Sequence, residues 1–258
     1  MNYIKSLIIV ASLGLISACG GNASKQINNE SPKNISEKVD YRRSQLEAAI
    51  SPYNLVVSLD HHRIAAEVGV YTPPAIATIF SNTDTDIALI QKAELVALDL
   101  PFKILIYAEP DTMDAKITCT CAGFIEKRHQ LNPNLLEDYG NSMDKILSSF
   151  PEEMVSKTDV STVEKGFGIV NIKSDFDHAT TIAKLREIIM SQGDTKWFAD
   201  VDYQKEASTL NVAIRPTTLL LFGGPAPGGK AMITSPKIGL DAFARNYWST
   251  KRRTVKFG

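Results

Sequence analysis

The chain has 258 residues, of which 44% are hydrophobic and 22% charged, and its formal net charge is −1 at pH 7. This composition is typical of a globular protein, and the length suffices for two domains of about 100 residues each. The charge is nearly balanced and the aromatic residues do not interleave with basic clusters, so we expect no nucleic-acid partner.

Residues 1–18 have the features of an export signal. Lys5 supplies a positive charge, and Leu7–Ile16 is an apolar run too short to span a bilayer. The residues before Cys19 are aliphatic and then small, which resembles a bacterial lipobox and implies lipidation of the Cys19 sulfur. Gly20 favours the outer membrane. We therefore predict a cell-envelope lipoprotein, anchored in the membrane through Cys19 and facing the periplasm; the alternative is an ordinary signal peptide with an incidental cysteine.

A polar tether at residues 19–35 follows, rich in Asn, Ser and Lys, which lacks the apolar surface needed to repay ordering. The rest of the chain repeats itself at an offset of 142 residues, as from Asp60 to Asp202. The other pairs are Ala65 with Ala207, Val70 with Val212, Pro74 with Pro216, Phe80 with Phe222, and Leu98-Asp99 with Leu240-Asp241. A constant offset indicates one structural unit used twice. We place the first domain at 36–130, a helical connector at 131–162 and the second domain at 163–258.

The first repeat alternates helical and strand patterns. In chain order we predict a helix from Ser36, a strand at Asn54–Asp60, a short helix or turn at Ile64–Val70, a strand at Ala75–Phe80, a polar turn at Asn82–Asp86, a helix or strand at Ile87–Ile90 with Leu95–Leu98, and strands at Phe102–Tyr107 and Ala115–Ala122. The connector carries a helix at Leu135–Phe150.

The second repeat follows the same order. We predict a strand at Phe167–Ile172 with no counterpart in the first repeat, a helix at Ala179–Met190, strands at Trp197–Val201 and Thr218–Phe222, and a turn at Gly223–Gly229. Such a mixture indicates an α+β fold of two two-layer sandwich units, each a sheet with helices on one face.

The runs Arg215–Pro225 and Ser235–Asp241 resemble DUF302, a family of unknown function whose members pair an apolar strand ending in Phe-Gly-Asn-Pro with a later Leu-Asp-Leu-Pro segment. The first repeat has Leu98–Pro101 but Ser81-Asn82 in place of the Gly-rich turn. The motif residues are Asp60, Pro74, Phe80, Asp99 and Pro101, then Asp202, Pro216, Phe222 and Asp241. The resemblance implies a small α/β sandwich that pairs with a copy of itself, as domain–domain pairing or as a homodimer, and it carries no established activity. We expect a turn or capping role for Asp99 and Asp241.

The last residues depart from the repeat, which is native-like to about residue 245. Asn246–Ser249 stands where the offset calls for an apolar strand like Lys103–Glu109. One base added before codon 246 changes the reading from Asn-Tyr-Trp-Ser to Lys-Leu-Leu-Val. The hypothesis is a single-base deletion that truncates or frameshifts the second unit, so that its last strands are missing and a sheet edge is unpaired. The alternative is a genuine basic tail.

Two residue pairs are candidates for ligand or metal binding. Cys119 and Cys121 would lie on one face of a predicted strand, and His61-His62 follows another strand. Together they would suit copper or haem, or redox cycling. The alternatives are two small buried residues and a surface or capping histidine pair. Gly223–Gly229 lacks the order of a phosphate loop, and we identify no catalytic residue.

Two functions therefore remain open. The first is a non-enzymatic envelope lipoprotein whose domains bind a small ligand or associate with each other. The second is a metal- or haem-linked redox accessory protein of the periplasm. The first is favoured because His61, His62, Cys119 and Cys121 do not recur in the second repeat.

Overall fold

The computed structural model describes residues 34–241 and, as backbone, residues 245–250 and 253–257. The export signal, Cys19 and most of the tether lie outside the described residues. Within the described part, no helix has the length and apolar character needed to cross a membrane.

The first repeat and the connector contain five α-helices and four strands within the described range. They are α1 (Ile35–Ala49), β1 (Asn54–Asp60), α2 (His61–Ala66), β2 (Ala75–Ser81), α3 (Thr83–Lys92), a 3₁₀ helix (Glu94–Leu98), β3 (Phe102–Ala108), β4 (Ala115–Cys119), α4 (Ala122–His129), a 3₁₀ helix (Pro133–Leu136), α5 (Glu137–Leu147) and a 3₁₀ turn (Glu152–Met154).

The second repeat follows the same plan, with one strand added at its start. Its elements are β5 (Ile169–Ile172), α6 (His178–Met190), β6 (Lys196–Asp202), α7 (Tyr203–Thr209), β7 (Thr218–Gly223), α8 (Pro225–Met232), a 3₁₀ helix (Pro236–Leu240), β8 (Arg245–Thr250) and β9 (Arg253–Phe257). The offset of 142 residues separates the starts of β1 and β6, of α3 and α8, and of the 3₁₀ helices at Glu94 and Pro236. The predicted α+β class is confirmed.

Each repeat builds one antiparallel sheet. The first has the order β1-β2-β3-β4, and the second has the order β6-β7-β8-β9-β5. Both sheets shift register at the same place in their first strand, between Leu55 and Val57 and between Trp197 and Ala199. The strand β5 pairs with β9 and has no counterpart in the first sheet, as the sequence predicts.

The expected loss of the last strands of the second repeat is wrong at the level of the backbone. The strand β8 pairs with β7 from Thr218 to Phe222, and β9 pairs with both β8 and β5. Ladder pairing uses main-chain N–H and C=O groups, so the edge of β7 can accept a segment whose side chains differ from those of β3. A deletion in the gene stays a hypothesis.

Two predicted turns are helices instead. The side chain of Asn82 accepts the backbone N–H of Thr85 and so caps α3, while Gly224 precedes α8, which begins with Pro225. Asn is a favoured N-cap residue, and proline suits the first helical position because the N–H it lacks would be unbonded there. Turn-forming residue types mark helix starts at both places.

Both faces of the first sheet are covered, which corrects the expectation of helices on one face only. Every residue of β2 and β3 is buried, as in a sheet between two layers. The helix α1 contacts β2, β3 and β4, and so does the 3₁₀ helix Pro236–Leu240 of the second repeat. In return, the 3₁₀ helix Glu94–Leu98 contacts β8. The layer that closes the first sheet is thus supplied by the other repeat.

The main hydrophobic core runs through both repeats, which lie within one compact unit. On the first-repeat side, Phe80 stacks on Phe102 with ring centroids 5.4 Å apart, and Phe102 stacks on Tyr139 of the connector at 4.3 Å. The same core contains Leu219 and Leu221 of β7. The motif residue Phe222 lies in a smaller cluster and stacks on Trp197.

Candidate functional site

The motif residues Asp60 and Asp202 cap equivalent short helices. Each carboxylate accepts a backbone N–H from three residues ahead, Arg63 at 2.9 Å and Lys205 at 3.0 Å. A side-chain oxygen that satisfies a free N–H at a helix start is the usual N-cap arrangement. This capping fixes where the next residue, His61 or Tyr203, points.

Those next residues reach across the contact between the repeats in a reciprocal way. His61 Nε2 donates to the carbonyl of Gly239 at 2.8 Å, and the Tyr203 hydroxyl donates to the carbonyl of Ala97 at 3.3 Å. Both donors and both acceptors are related by the offset of 142 residues. Burial lowers the pKa of His61 to about 4, so its ring is neutral at pH 7 and the nitrogen that faces the carbonyl carries the proton.

His62 has a similar local role. Its Nδ1 lies 2.6 Å from the carbonyl oxygen of Thr72, and the equivalent Gln204 donates Nε2 to the carbonyl of Ile214 at 3.4 Å. The position therefore keeps its hydrogen bond to the backbone when the residue type changes.

The two cysteines lie in different elements. Cys119 ends β4, whereas Cys121 precedes α4 as its N-cap residue and is not on the strand that the sequence predicts. Burial raises the pKa of the Cys119 thiol to about 12, with a further contribution from Cys121, which disfavours the thiolate that metals bind. Among the described residues, no three or more His, Cys, Asp or Glu side chains are grouped to hold a metal ion. A copper or haem site at these four candidates stays a prediction.

Asp99 lies at the centre of a buried ionic network. Its carboxylate accepts Arg128 Nη1 at 2.6 Å and also pairs with His129 Nε2, and its side chain is 1% exposed. Burial acts to raise its pKa, but the hydrogen bond from His129 and the charges of Arg128 and Lys103 hold that pKa below the usual range. Asp99 also ends the 3₁₀ helix Glu94–Leu98 as its C-cap residue.

The equivalent residue, Asp241, binds differently. Its carboxylate lies 2.7 Å from Nζ of Lys103, a lysine of β3. The Lys103 side chain is 2% exposed and that of Asp241 is 51% exposed. The same position of the repeat thus has two roles. In the first repeat Asp99 is a buried counterion of Arg128, and in the second Asp241 is a half-exposed counterion of the buried Lys103.

The three proline positions of the motif flank strands. Pro74 directly precedes β2, and its carbonyl accepts the N–H of Ala108 at 2.8 Å. Pro216 lies just before β7, and Pro101 follows a cis peptide bond after Leu100 at the start of β3.

A cleft of about 260 Å³ opens beside Asp241, where the first repeat, the connector and the second repeat meet. It is the candidate functional site. Its lining residues are Thr118, Cys119, Thr120 and Phe124 of the first repeat, Lys157, Thr158 and Asp159 of the connector, and Lys237, Leu240 and Asp241 of the second repeat.

Thr120 is a buried lining residue of the cleft. The residue is 3% exposed, and its hydroxyl oxygen has no hydrogen-bond partner in the described structure. Buried hydroxyls are normally paired, because an unmade bond costs about 1–3 kcal/mol. The cleft is therefore lined by one buried threonine and by exposed lysines on two of its walls.

The structure brings two of the sequence candidates, Cys119 and Asp241, to this cleft and leaves His61, His62 and Cys121 out of its lining. Sequence reasoning misses Thr120, Lys157 and Lys237, since single polar residues in a loop or a strand end carry no periodic signal.

Comparison with known families shows which family this chain belongs to. The sequence pattern of DUF302, a domain of unknown function, matches residues 27–150 and 170–242. The chain belongs to the DUF302 family. The first segment spans the first repeat and most of the connector, the second lies within the second repeat, and the residues Lys157–Asp159 that line the cleft lie between the two segments.

A solved DUF302 structure gives a partial match. The crystal structure of an uncharacterized conserved protein DUF302 from Bacillus stearothermophilus shares 16% identity with a TM-score of 0.38, and the match covers 43% of this chain and 89% of that one. A search of curated proteins finds no match. Membership of DUF302 identifies the family and no activity.

Proposed function

We propose that this DUF302 protein is a non-enzymatic lipoprotein of the cell envelope whose two repeats and connector bind a small polar ligand in the Thr120 cleft. The observation that carries the proposal is Thr120, which lines a cleft where the two repeats and the connector meet and whose buried hydroxyl has no partner among the described residues. A ligand that accepts its hydrogen bond would remove the cost of that unpaired group.

The volume supports a small ligand. Clefts that bury drug-sized molecules measure about 300–1,000 Å³, and this one is about 260 Å³. Two repeats that contact each other reciprocally would hold the walls of such a site in place, since Lys237 and Asp241 belong to one repeat and Thr118–Thr120 to the other.

Thr120→Val tests ligand binding. Thermal unfolding of the full-length protein in detergent would be followed against a panel of small organic acids, amino acids, sugars and polyamines, because a ligand of the folded state raises the transition temperature. We expect a shift for at least one class in the wild type and a smaller shift in Thr120→Val. The matched control is Thr78→Val, which also removes a buried unpartnered hydroxyl, but in β2. A panel without any shift would contradict the proposal.

The membrane anchor rests on the lipobox-like residues before Cys19. Cells expressing the protein would be labelled with a radioactive fatty acid and fractionated. We expect label and membrane association in the wild type, their loss in Cys19→Ser, and no change in the control Cys121→Ser. Label that persists in Cys19→Ser would overturn the anchor.

The alternative, a metal- or haem-linked redox role, has no observation of the described structure in its favour. One ring nitrogen of each histidine, Nε2 of His61 and Nδ1 of His62, lies at a backbone carbonyl, and burial of Cys119 disfavours its thiolate.

A further inference from the structure

The charge around the cleft indicates what kind of ligand enters it. Two lysines, Lys157 and Lys237, and two aspartates, Asp159 and Asp241, line the cleft. A third lysine, the buried Lys103, does not line the cleft but forms an ion pair with Asp241. Three lysines thus stand against two aspartates. The carboxylate of Asp159 already accepts the N–H of Ser161 at 2.8 Å. Among the described residues, neither Lys157 nor Lys237 forms an ion pair.

Lys103 is a buried cationic group next to the lining residue Asp241. A buried ammonium must be paired, because it is costly to remove it from water without a counterion. Asp99 is near enough to interact with Lys103, but its two oxygens pair with Arg128 and His129. The direct partner of Lys103 is therefore Asp241, whose own side chain is half exposed.

We infer that the ligand is a small dicarboxylate, one of whose carboxylates replaces that of Asp241 at Lys103 while the other meets Lys157 and Lys237. The inference rests on the proposed ligand-binding function of the cleft. The position at Lys103 already holds a carboxylate oxygen at 2.7 Å, so its geometry suits this group.

The exchange is balanced in charge and hydrogen bonds. Asp241 is 51% exposed, so its carboxylate can turn toward water at little desolvation cost, whereas the buried Lys103 needs a carboxylate in its place. Lys103 keeps a carboxylate partner throughout. The Thr120 hydroxyl gains an acceptor oxygen from the ligand, and its unpaired state ends.

Asp241→Asn separates this mechanism from simple binding. If Asp241 competes with the ligand for Lys103, its neutralisation removes the competitor and leaves a buried ammonium that needs a carboxylate, so affinity for succinate should rise by about fivefold or more. Isothermal titration of the full-length protein in detergent measures the change. A loss of affinity in Asp241→Asn would contradict the exchange.

Lys237→Gln should lower the affinity for succinate, whereas Asp241→Asn should raise it. Lys237 is exposed, so its substitution should not impair folding. We expect affinity for succinate to fall about tenfold, with no change in Lys230→Gln, a matched exposed lysine on α8 outside the cleft. Succinamide, which has the same carbon chain without charge, should not bind. Acetate should bind more weakly than succinate because it lacks the second carboxylate.

Failure of the inference and failure of the proposed function give different results. If succinamide, sugars or polyamines bind in a manner sensitive to Thr120→Val while succinate does not, the cleft is a binding site and the dicarboxylate is wrong. If inorganic phosphate binds better than succinate, the ligand is a phosphate and the inference is overturned. If no probe of any class binds, both the function and the inference fall.

Discussion

At the scale of single residues, the contact between the repeats contains a buried carboxyl group, that of Asp86. It is fully buried in α3, where one carboxylate oxygen accepts the Ser81 hydroxyl at 2.7 Å and the other has no partner. Helix α3 packs against α7, whose Glu206 also has a buried oxygen without a partner. Burial raises the pKa of Asp86 well above its usual range, and the charge of Glu206 raises it further. Burial likewise raises the pKa of Glu206.

The raised pKa of Asp86 predicts how stability changes with pH. A carboxyl whose pKa is higher in the folded than in the unfolded state retains its proton on folding, so its contribution is complete below the unfolded pKa and is lost as pH rises through the folded one. We expect the free energy of unfolding to fall with increasing pH above the usual carboxyl range, by up to about 1.4 kcal/mol per pH unit and proton. Urea unfolding at a series of pH values measures it.

Asp86→Asn should flatten that pH dependence, because the amide does not ionise. The matched control is Asp84→Asn, on the exposed side of the same helix, which should leave the slope as it is in the wild type. Equal slopes in the wild type and Asp86→Asn would show that Asp86 does not titrate in this range.

At the scale of elements, α2 and α8 pack closely at Gly229. A Cβ atom on Gly229 would lie 2.8 Å from Cβ of Ala65 and 3.3 Å from a methyl group of Val70. The Thr72 hydroxyl also donates to the Gly229 carbonyl at 2.7 Å. The absence of a side chain at Gly229 therefore allows the two helices to meet.

Gly229→Ala should destabilise the protein by about 1–3 kcal/mol, as overpacking in a well-filled contact does. The control is Gly123→Ala in α4, where a Cβ meets nothing within 4 Å and should be neutral or stabilising by up to about 1 kcal/mol. Chemical denaturation of both variants gives the comparison. If the two changes had the same effect, close packing of α2 on α8 would not be the reason for the glycine.

The strands and long helices were predictable from the sequence, and the contacts between repeats were not. Period-two alternation over Asn54–Asp60 and continuous apolar runs in β2, β3 and β7 identify strands directly. Asn82 and Gly224 belong to residue types that form turns and that also begin helices, so the sequence alone does not distinguish the two structures. The 3₁₀ helix Pro236–Leu240 packs on the first sheet only because the two repeats pair. A local sequence pattern cannot predict such a contact between distant segments.

The candidate site shows the same limit. Cys119 and Asp241 could be singled out by type and by recurrence, and both line the cleft. Thr120 directly follows β4, and it differs from the buried Thr78 of β2, whose hydroxyl also has no partner, only in lining the cleft. Lys157 and Lys237 are exposed lysines in irregular segments, and their importance depends on chain parts that are distant in sequence.

At the scale of the whole molecule, the repeats should unfold together. They share one hydrophobic core, and each contributes a 3₁₀ helix to the other's sheet. Both tryptophans, Trp197 and Trp248, belong to the second repeat, so fluorescence reports on that repeat while far-ultraviolet circular dichroism reports on both. We expect the two urea transitions to coincide.

Separate transitions would indicate that the first repeat stays folded without the second. In that case the covering of the first sheet by Pro236–Leu240 would add little to its stability. A repeat-specific substitution such as Gly229→Ala provides an internal check, since it should move both signals by the same amount if the unit is cooperative.

The last strands of the two sheets have different neighbours. We expect this difference to limit the number of ligand molecules that one chain binds. The free side of β4 is bridged to Val155, and Ser156 donates its N–H to Ile117 at 2.7 Å, so the connector lies there and brings Lys157 to the cleft. The corresponding side of β9 is taken by β5. The approximate two-fold relation between the repeats is broken at this point. Titration should accordingly reach saturation at one equivalent per chain.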